Sequence, residues 1–157
     1  MLNHTSMKRI SNELKRDFKN MDYSLTMYHP NKRYMEVKVP IFDNTMVFRI
    51  FPDYPFKPPN LFINDINYMV YFNRIYMLNE NVVKRYYIYA SCPCCDTILC
   101  NWSPGDTLYK IVEEYLIRVN KYKNIKTILS FNIVKPQLPF DELVYNTILK
   151  YIYQPCM

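Results

Sequence analysis

Apolar residues near the start of the chain recur every three or four positions, which is the spacing of one face of an α-helix. The stripe predicts an amphipathic helix over residues 7–21, with Ser6 as its N-cap. Five basic residues lie among the remaining positions of this helix. The apolar positions are Met7, Ile10, Leu14, Phe18 and Met21. We therefore expect an opening helix that buries one face and exposes a basic one.

The next part of the chain has the residue types and the partial alternation of β-strands. The segments "YSLTMYH", "RYMEVKVPI" and "TMVFRIF" are rich in β-branched and aromatic residues, and "PNK" and "FDN" separate them as turns. "NLFIN" predicts a fourth, short strand. Before it, the four prolines of "PDYPFKPP" forbid regular pairing and predict a rigid, extended connection. These segments predict a four-stranded antiparallel meander.

No clear period is present from Asp65 to about Asn101, which predicts a long irregular segment of the kind that often carries function. Within it, residues 79–85 have the composition of an exposed insertion. A helical stripe then begins at Leu108, with Asp106 or Thr107 as its cap. Its apolar positions are Leu108, Ile111, Val112, Tyr115, Leu116 and Val119. This is the central helix of the predicted fold.

A last amphipathic segment, "PFDELVYNTILKYIY", predicts a C-terminal helix. The predicted fold class is therefore α+β: an N-terminal helix, the four-stranded meander, an irregular segment, the central helix and the C-terminal helix. A length of 157 residues suits one domain. We expect a single domain over residues 1–157, with its core at about 7–121 and a divergent C-terminal segment at 122–157.

Composition narrows the classes of function. With a single glycine, the chain contains no GxGxxG or Walker phosphate loop. It shows no signal peptide and no apolar run of membrane-spanning length, so we expect a soluble protein in the cytoplasm, the nucleus or both, with no membrane partner. The net charge of +6 would suit a nucleic acid or an acidic protein, and equally a solvated helix face. In the absence of a nucleic-acid motif, that class ranks last.

Four of the five cysteines lie close together ahead of the only tryptophan. An odd number of cysteines without a secretion signal argues against a disulfide framework and favours thiol or metal chemistry. One interpretation is a zinc site made by Cys92, Cys94 or Cys95, and Cys100, with a histidine or Cys156 as fourth ligand. Structural zinc usually needs two separated ligand pairs, and only one cluster is present. The other interpretation is a single cysteine nucleophile.

Three motifs in order resemble those of the ubiquitin-conjugating enzymes. "KRISNELK" is similar to the family's first helix, Tyr54 to Pro59 reads "YPFKPP", and Trp102-Ser103-Pro104 opens the central helix. In the family, a Cys-Leu-Asp triplet places the active cysteine eight residues before that tryptophan, and here this position is Cys94, within Cys94-Cys95-Asp96. The matches cover about residues 7–121. The chain departs from the family in a shortened hairpin, "IFDNT", and in the absence of a His-Pro-Asn motif.

The resemblance implies a catalytic set. Cys94 would carry ubiquitin or a ubiquitin-like modifier as a thioester and pass it to a lysine or to a ligase, with Cys95 and Cys92 as fallback nucleophiles. Asp96 would orient the incoming amine, or it is a turn cap. Asn73 is the nearest candidate for the family's asparagine, with Asn79 and Asn81 as lesser alternatives. No cofactor and no metal are implied.

The resemblance also implies an activating enzyme and a ubiquitin ligase as partners. Phe56 would contact the ligase, or else it packs under its own loop. Ser103 and Pro104 would join that contact, and Lys8, Arg9 and Lys15 would steer the chain toward an acidic activating enzyme. We expect Trp102 and Tyr54 to be core residues. The main alternative is a catalytically inactive relative that acts as a binding adaptor, although such variants typically lose the cysteine.

Overall fold

The computed structural model describes residues 4–26, 33–77 and 97–134, together with Val144 and Thr147. These parts have an α+β fold with three helices and an open antiparallel sheet of five strands. The chain divides into two compact units, Met1–Glu114 and Tyr115–Met157. The sheet lies in the first unit. The expectation of one domain over the whole chain stays a prediction.

The first helix, α1, spans His4–Asp17 and buries the predicted stripe at Ile10, Leu14 and Phe18. It begins three residues earlier than predicted and ends four residues earlier, because the chain turns at Phe18–Met21. The prediction of Ser6 as N-cap is wrong. Ser6 lies inside the helix and is buried, and its hydroxyl donates a hydrogen bond of 2.7 Å to the Tyr54 carbonyl.

The sheet is a meander in the order β1-β2-β3-β4-β5. Its strands are β1 Ser24–Thr26, β2 Met35–Ile41, β3 Asn44–Ile50, β4 Asn60–Ile63 and β5 Ile66–Asn67. Alternate residues of β2 are buried, as the alternation predicted. The "FDN" turn is confirmed, since Ile41 pairs with Asn44 across two residues. The "PNK" turn lies outside the described residues.

The prediction of four strands was one short. Strand β5 pairs with β4 across a two-residue turn formed by Asn64 and Asp65, whose φ angles are 46° and 64°. Both angles are left-handed, a conformation that glycine usually supplies and that Asn and Asp also tolerate. In a chain with one glycine, "ND" was therefore the hairpin signal that the sequence analysis missed.

The stretch after Asp65 was predicted to be irregular, and its first part is instead helical. Helix α2 spans Tyr68–Met77 and buries Tyr68 and Phe72, whose rings meet edge to face at 4.9 Å. These residues are four apart and share one face of the helix. The short segment "YMVYFNRIYM" is apolar over most of its length, so its period is weak and the buried pair becomes visible only in the fold. The insertion predicted at residues 79–85 lies outside the described residues.

The central helix is confirmed as α3, Leu108–Val134. In the first unit it buries Leu108, Ile111 and Val112. Thr107 caps it, because its hydroxyl accepts a hydrogen bond of 3.4 Å from the Lys110 N–H. No helix in the described parts of the chain combines the length and the apolar character that crossing a bilayer requires. The predicted C-terminal helix lies outside the described residues except for Val144 and Thr147, which are helical.

Candidate functional site

The predicted site residues fall into two groups. Cys94 and Asp96 lie outside the described residues, as do Cys92 and Cys95. Asn73 lies within α2, where only its backbone is described. The partner-binding group is described in full and consists of Lys8, Arg9, Lys15, Phe56, Ser103 and Pro104. The site can therefore be built from this second group, which lies on α1 and two loops.

The first loop, residues 52–59, is called the proline loop here. Tyr54 anchors it, because its ring is buried and its hydroxyl donates to both carboxylate oxygens of Glu13 at 2.9 and 2.8 Å. Next to this anchor, the N–H groups of Phe56 and Lys57 donate to the Asp53 carbonyl. The Phe56 ring is 77% exposed, which rules out the alternative in which it packs under the loop. An exposed aromatic ring thus stands on a loop that is held from below.

The second loop, residues 101–107, is called the tryptophan loop. The Trp102 indole N–H donates to the Pro55 carbonyl at 2.7 Å, and the rings of Trp102 and Tyr54 are 5.8 Å apart. Tyr54 is a core residue, as expected, whereas Trp102 is half-buried. The tryptophan loop therefore packs directly against the proline loop.

The tip of the tryptophan loop is exposed but internally ordered. Ser103 and Pro104 both face solvent. The Ser103 N–H donates to the Asp106 carboxylate at 2.8 Å, and the Asp106 N–H donates back to the Ser103 carbonyl at 2.9 Å. Hydrogen bonds from Lys110 and then from the Ser103 N–H lower the pKa of Asp106, so this carboxylate stays charged at neutral pH. The turn thus presents Ser103 and Pro104 in one conformation.

Glu13 connects these loops with α1. Its side chain is only 4% exposed, and its carboxylate accepts hydrogen bonds from Tyr54, from the Arg9 Nε at 2.8 Å and from the Leu108 N–H at 3.1 Å. The Leu108 N–H is at the start of α3, where a negative group also complements the helix dipole. One buried carboxylate therefore joins α1, the proline loop and the first turn of α3.

Sequence analysis did not identify Glu13. The signal was present, because position 13 lies three residues after Ile10 and so falls on the apolar face of the helix. A charged residue at such a position needs a buried partner. The pattern alone does not say which residue that partner is.

Arg9 is engaged within the fold. In addition to its pair with Glu13, its Nη2 donates to the Asp106 carbonyl at 2.9 Å, and its guanidinium lies 5.7 Å from the centre of the Tyr54 ring. Burial works against the charge, but hydrogen bonding and attraction to Glu13 outweigh it and raise the pKa of Arg9. Of the three basic residues predicted to meet a partner, Lys8 and Lys15 are the exposed ones.

The Tyr54 hydroxyl shares this environment. Burial, and after it the negative charge of Glu13, raise the pKa of Tyr54 above its ordinary value. The phenol is thus held in its neutral form, as a donor to Glu13. An ionised phenolate at this position would face the carboxylate without a proton between them.

Lys15 also lines a largely apolar cavity of about 310 Å³ between α1 and the first two strands. Ile10, Leu14 and Leu25 form part of its wall. Leu25 belongs to β1, which is an edge strand whose three residues are exposed. This part of the basic helix face therefore borders apolar surface.

The described structure resumes at Thr97, directly after Cys94-Cys95-Asp96. Thr97 is buried, and its hydroxyl donates to the Met69 sulfur at 3.9 Å while accepting from the Cys100 N–H at 3.2 Å. The next N–H, of Ile98, donates to the Glu114 carboxylate at 2.8 Å. Met69 lies in the first turn of α2, four residues before Asn73. Thr97 thus lies beside the first turn of α2.

Metal chemistry can be assessed only in the described residues, where no three His, Cys, Asp or Glu side chains are grouped to hold an ion. Cys100 is there a free, exposed thiol. The other cysteines of the proposed zinc cluster lie outside this part, so the zinc interpretation stays untested.

Comparison with known proteins identifies no relative: no family model, no curated protein and no solved structure matches this chain.

Proposed function

We propose that this chain is a ubiquitin-conjugating enzyme that carries ubiquitin or a ubiquitin-like modifier as a thioester on Cys94. The observation that carries the proposal is the assembly of its three motif segments, α1, the proline loop and the tryptophan loop, around Glu13. Arg9 and Asp106 lie 97 positions apart in the sequence, and Arg9 donates a hydrogen bond to the Asp106 carbonyl. The α+β architecture with an antiparallel meander supports the same function.

The reaction would proceed by two acyl transfers. In the first, the Cys94 thiolate attacks the thioester carbon of the charged activating enzyme, a new S–C bond forms, and the activating enzyme's thiolate leaves. In the second, a lysine amine attacks the Cys94 thioester, the S–C bond breaks, an amide forms, and the surplus proton goes to solvent. A thiol suits both steps because it is a good nucleophile and its thioester reacts readily with amines.

The other catalytic residues keep their proposed roles. Asp96 would orient the incoming amine, and Asn73 would donate a hydrogen bond to the oxyanion formed in each transfer. Losing one such donor typically slows a reaction by about 10² to 10³. The anchoring of Thr97 beside Met69 supports this pairing, because it brings the chain just after Asp96 back to the helix that holds Asn73.

The surface around Phe56 would receive the ligase. A rigid aromatic residue loses little entropy on docking, and Phe56 stands exposed on a loop held by Tyr54 and Trp102. Ser103 and Pro104 extend this surface on the tryptophan loop.

The test is a charging assay. The purified protein is mixed with ATP, an activating enzyme and ubiquitin, and the products are separated on non-reducing gels. We expect an adduct that thiols remove, that is lost in Cys94→Ser, and that is replaced there by a thiol-resistant ester if the serine accepts ubiquitin. Cys95→Ser and Cys92→Ser should keep the adduct.

Cys100→Ser is the matched control, because Cys100 is an exposed free thiol of the same cluster. An adduct lost only in Cys100→Ser would identify Cys100 as the nucleophile and contradict the assignment of Cys94. If no adduct forms with ubiquitin or with ubiquitin-like modifiers and their own activating enzymes, the carrier function is wrong and the adaptor takes its place. Measuring the zinc content of the same preparation tests the metal-binding alternative.

A further inference from the structure

We infer that Glu13 is a positioning residue that sets the conformation of the ligase-docking surface through Tyr54. The inference rests on the proposed function for the meaning of that surface. The positioning itself can be measured without any partner. We expect the effect of Glu13 to pass through the hydrogen bonds that its carboxylate accepts.

Few described hydrogen bonds connect the proline loop to other elements. Its four prolines remove backbone donors, and the loop lies between β3 and β4 without pairing to either strand. Its own turn bonds to Asp53 are local, so they do not connect it to another element. The described hydrogen bonds that tie it to other elements join three pairs of residues: Tyr54 and Glu13, Ser6 and the Tyr54 carbonyl, and Trp102 and the Pro55 carbonyl.

From its place on α1, Glu13 also acts on the tryptophan loop. Its second oxygen accepts from Leu108, where α3 follows the tryptophan loop, and its pair with Arg9 places the guanidinium on the Asp106 carbonyl within that loop. A change at Glu13 therefore acts on both sides of the surface that carries Phe56 and Pro104.

The chemistry demands a carboxylate at this position. Four hydrogen-bond contacts converge on its two oxygens, from Tyr54, Arg9 and Leu108. An amide offers a single acceptor oxygen, and its NH₂ group would face donors. Glu13→Gln keeps the size of the side chain and leaves buried donors unmatched, which is more costly than a loss at the surface. We expect the loop to loosen while the sheet and its core stay intact.

The first readout is local. Hydrogen exchange of the Phe56 and Lys57 amides should become at least tenfold faster in Glu13→Gln, while the amides of β3 keep their protection. Trp102 is the only tryptophan, and it donates to the Pro55 carbonyl, so its fluorescence reports the same loop. Its emission should shift to longer wavelength and become easier to quench with acrylamide.

The second readout is functional. With a ubiquitin ligase domain that accelerates discharge of the wild-type thioester, the ligase concentration at half-maximal rate should rise about tenfold in Glu13→Gln. The rate at saturating ligase and the ligase-independent discharge to free lysine should not change. A purely structural role would lower the amount of active enzyme, so it would reduce both rates together and leave the half-maximal ligase concentration unchanged.

Two further variants complete the test. Tyr54→Phe removes the donor and should loosen the proline loop to a similar extent. Adding it to Glu13→Gln should change the proline loop little further, because both variants act on that loop through the Tyr54–Glu13 hydrogen bond. Glu36→Gln is the matched control: it removes a carboxylate that pairs with Arg49 and Lys38 on the sheet, away from the docking surface. It should leave the loop amides and Trp102 unchanged.

The outcomes distinguish the positioning role of Glu13 from the proposed thioester-carrier function. Unchanged exchange at Phe56 and Lys57 in both Glu13→Gln and Tyr54→Phe overturns the positioning role, as does equal acceleration throughout β3. If the loop loosens as expected but the wild-type chain forms no thioester, the positioning inference stands and the proposed function fails.

Discussion

Phe56 and Phe42 are both exposed aromatic residues, and they lie on different loops. Phe56 is 77% exposed on the proline loop, above the buried Tyr54. Phe42 is 69% exposed in the two-residue turn between β2 and β3. Their similar exposure makes Phe42 a matched comparison for the role proposed for Phe56.

Phe56→Ala should weaken ligase binding and leave the fold intact, because an exposed side chain adds little to stability while a docked aromatic anchor is typically worth about 2 kcal/mol or more. This corresponds to a rise of about 30-fold in the ligase concentration needed for half-maximal discharge of the thioester. Phe42→Ala is the control and should leave that concentration unchanged. Equal losses in the two variants would argue against a specific surface at Phe56.

Phe42 also carries backbone strain. Its φ is 53°, a left-handed angle that is unfavourable for a bulky side chain. Asn tolerates this conformation, and the chain already uses Asn64 at φ 46° in the turn between β4 and β5. The strain at Phe42 is therefore a property of the side chain chosen, not of the turn itself.

Phe42→Asn should raise the free energy of unfolding by about 0.5–1 kcal/mol, because it relieves part of that strain. Urea denaturation followed by circular dichroism measures the change. Asn64→Ala provides the opposite case: it keeps a left-handed φ and removes side-chain bonds to Thr45 and Asn44, so it should lower stability. A stability loss in Phe42→Asn would show that ring contacts outweigh the strain.

At the residue scale, the sequence identified Phe56 as an exposed candidate and missed Glu13. Phe56 was named through the resemblance of its "YPFKPP" segment, and the alternative that it packs under the loop was decided by the structure. Glu13 was not predictable, because its partners Tyr54 and Leu108 are 41 and 95 positions away along the chain. Hydrogen bonds over such separations depend on how the elements pack.

At the scale of elements, the contact between α1 and the proline loop should depend on pH. Folding raises the pKa of Tyr54, through burial first and the charge of Glu13 second. The unfolded phenol ionises near pH 10, so above about that pH the unfolded chain has lost a proton that the folded chain keeps. Stability from this group is therefore complete below pH 10 and decreases as pH rises.

Tyr54→Phe should remove this contribution to the loss of stability at alkaline pH. Between about pH 10 and 11, the free energy of unfolding of the wild type should fall by about 1 kcal/mol more than that of the variant. Urea denaturation at a series of pH values gives both curves, and the other 15 of the 16 tyrosines are common to both chains. Parallel curves would mean that Tyr54 ionises as easily in the folded state as in the unfolded state.

The elements themselves were predicted unevenly. Helices α1 and α3 were predicted from their helical periods, and strands β1 to β4 from residue types, partial alternation and the breakers between them. Strand β5 has two residues and helix α2 has ten, and neither length gives a reliable period. Both form because tertiary packing offers them a partner: β4 for β5, and the core for Tyr68 and Phe72.

At the scale of the whole molecule, the effect of the net charge of +6 on association depends on where the charged residues lie. Lys8 and Lys15 are exposed on α1, whereas Arg9 is engaged with Glu13 and Asp106. The steering predicted for the basic helix therefore depends mainly on the two lysines. Their field should act on association rates more than on final affinity.

The double variant Lys8→Glu and Lys15→Glu should slow charging by the activating enzyme about tenfold at low ionic strength, because steering raises association rates by that order or more. The difference should shrink at about 0.5 M salt, where screening is strong. The control reverses Arg33 and Lys38, which are exposed outside α1, and changes the net charge equally. An equal slowing in both variants would attribute the effect to net charge and not to the helix.

What the sequence by itself determined is the α+β class, the main helices and strands, and the order of three motifs, because periodicity and proline placement act locally. Only the tertiary structure decided which side chains of those motifs meet. Glu13, Arg9, Tyr54 and Leu108 are brought together by the packing of α1 against the proline loop and the start of α3. A buried carboxylate needs donors from several directions, and only the folded chain supplies them at once.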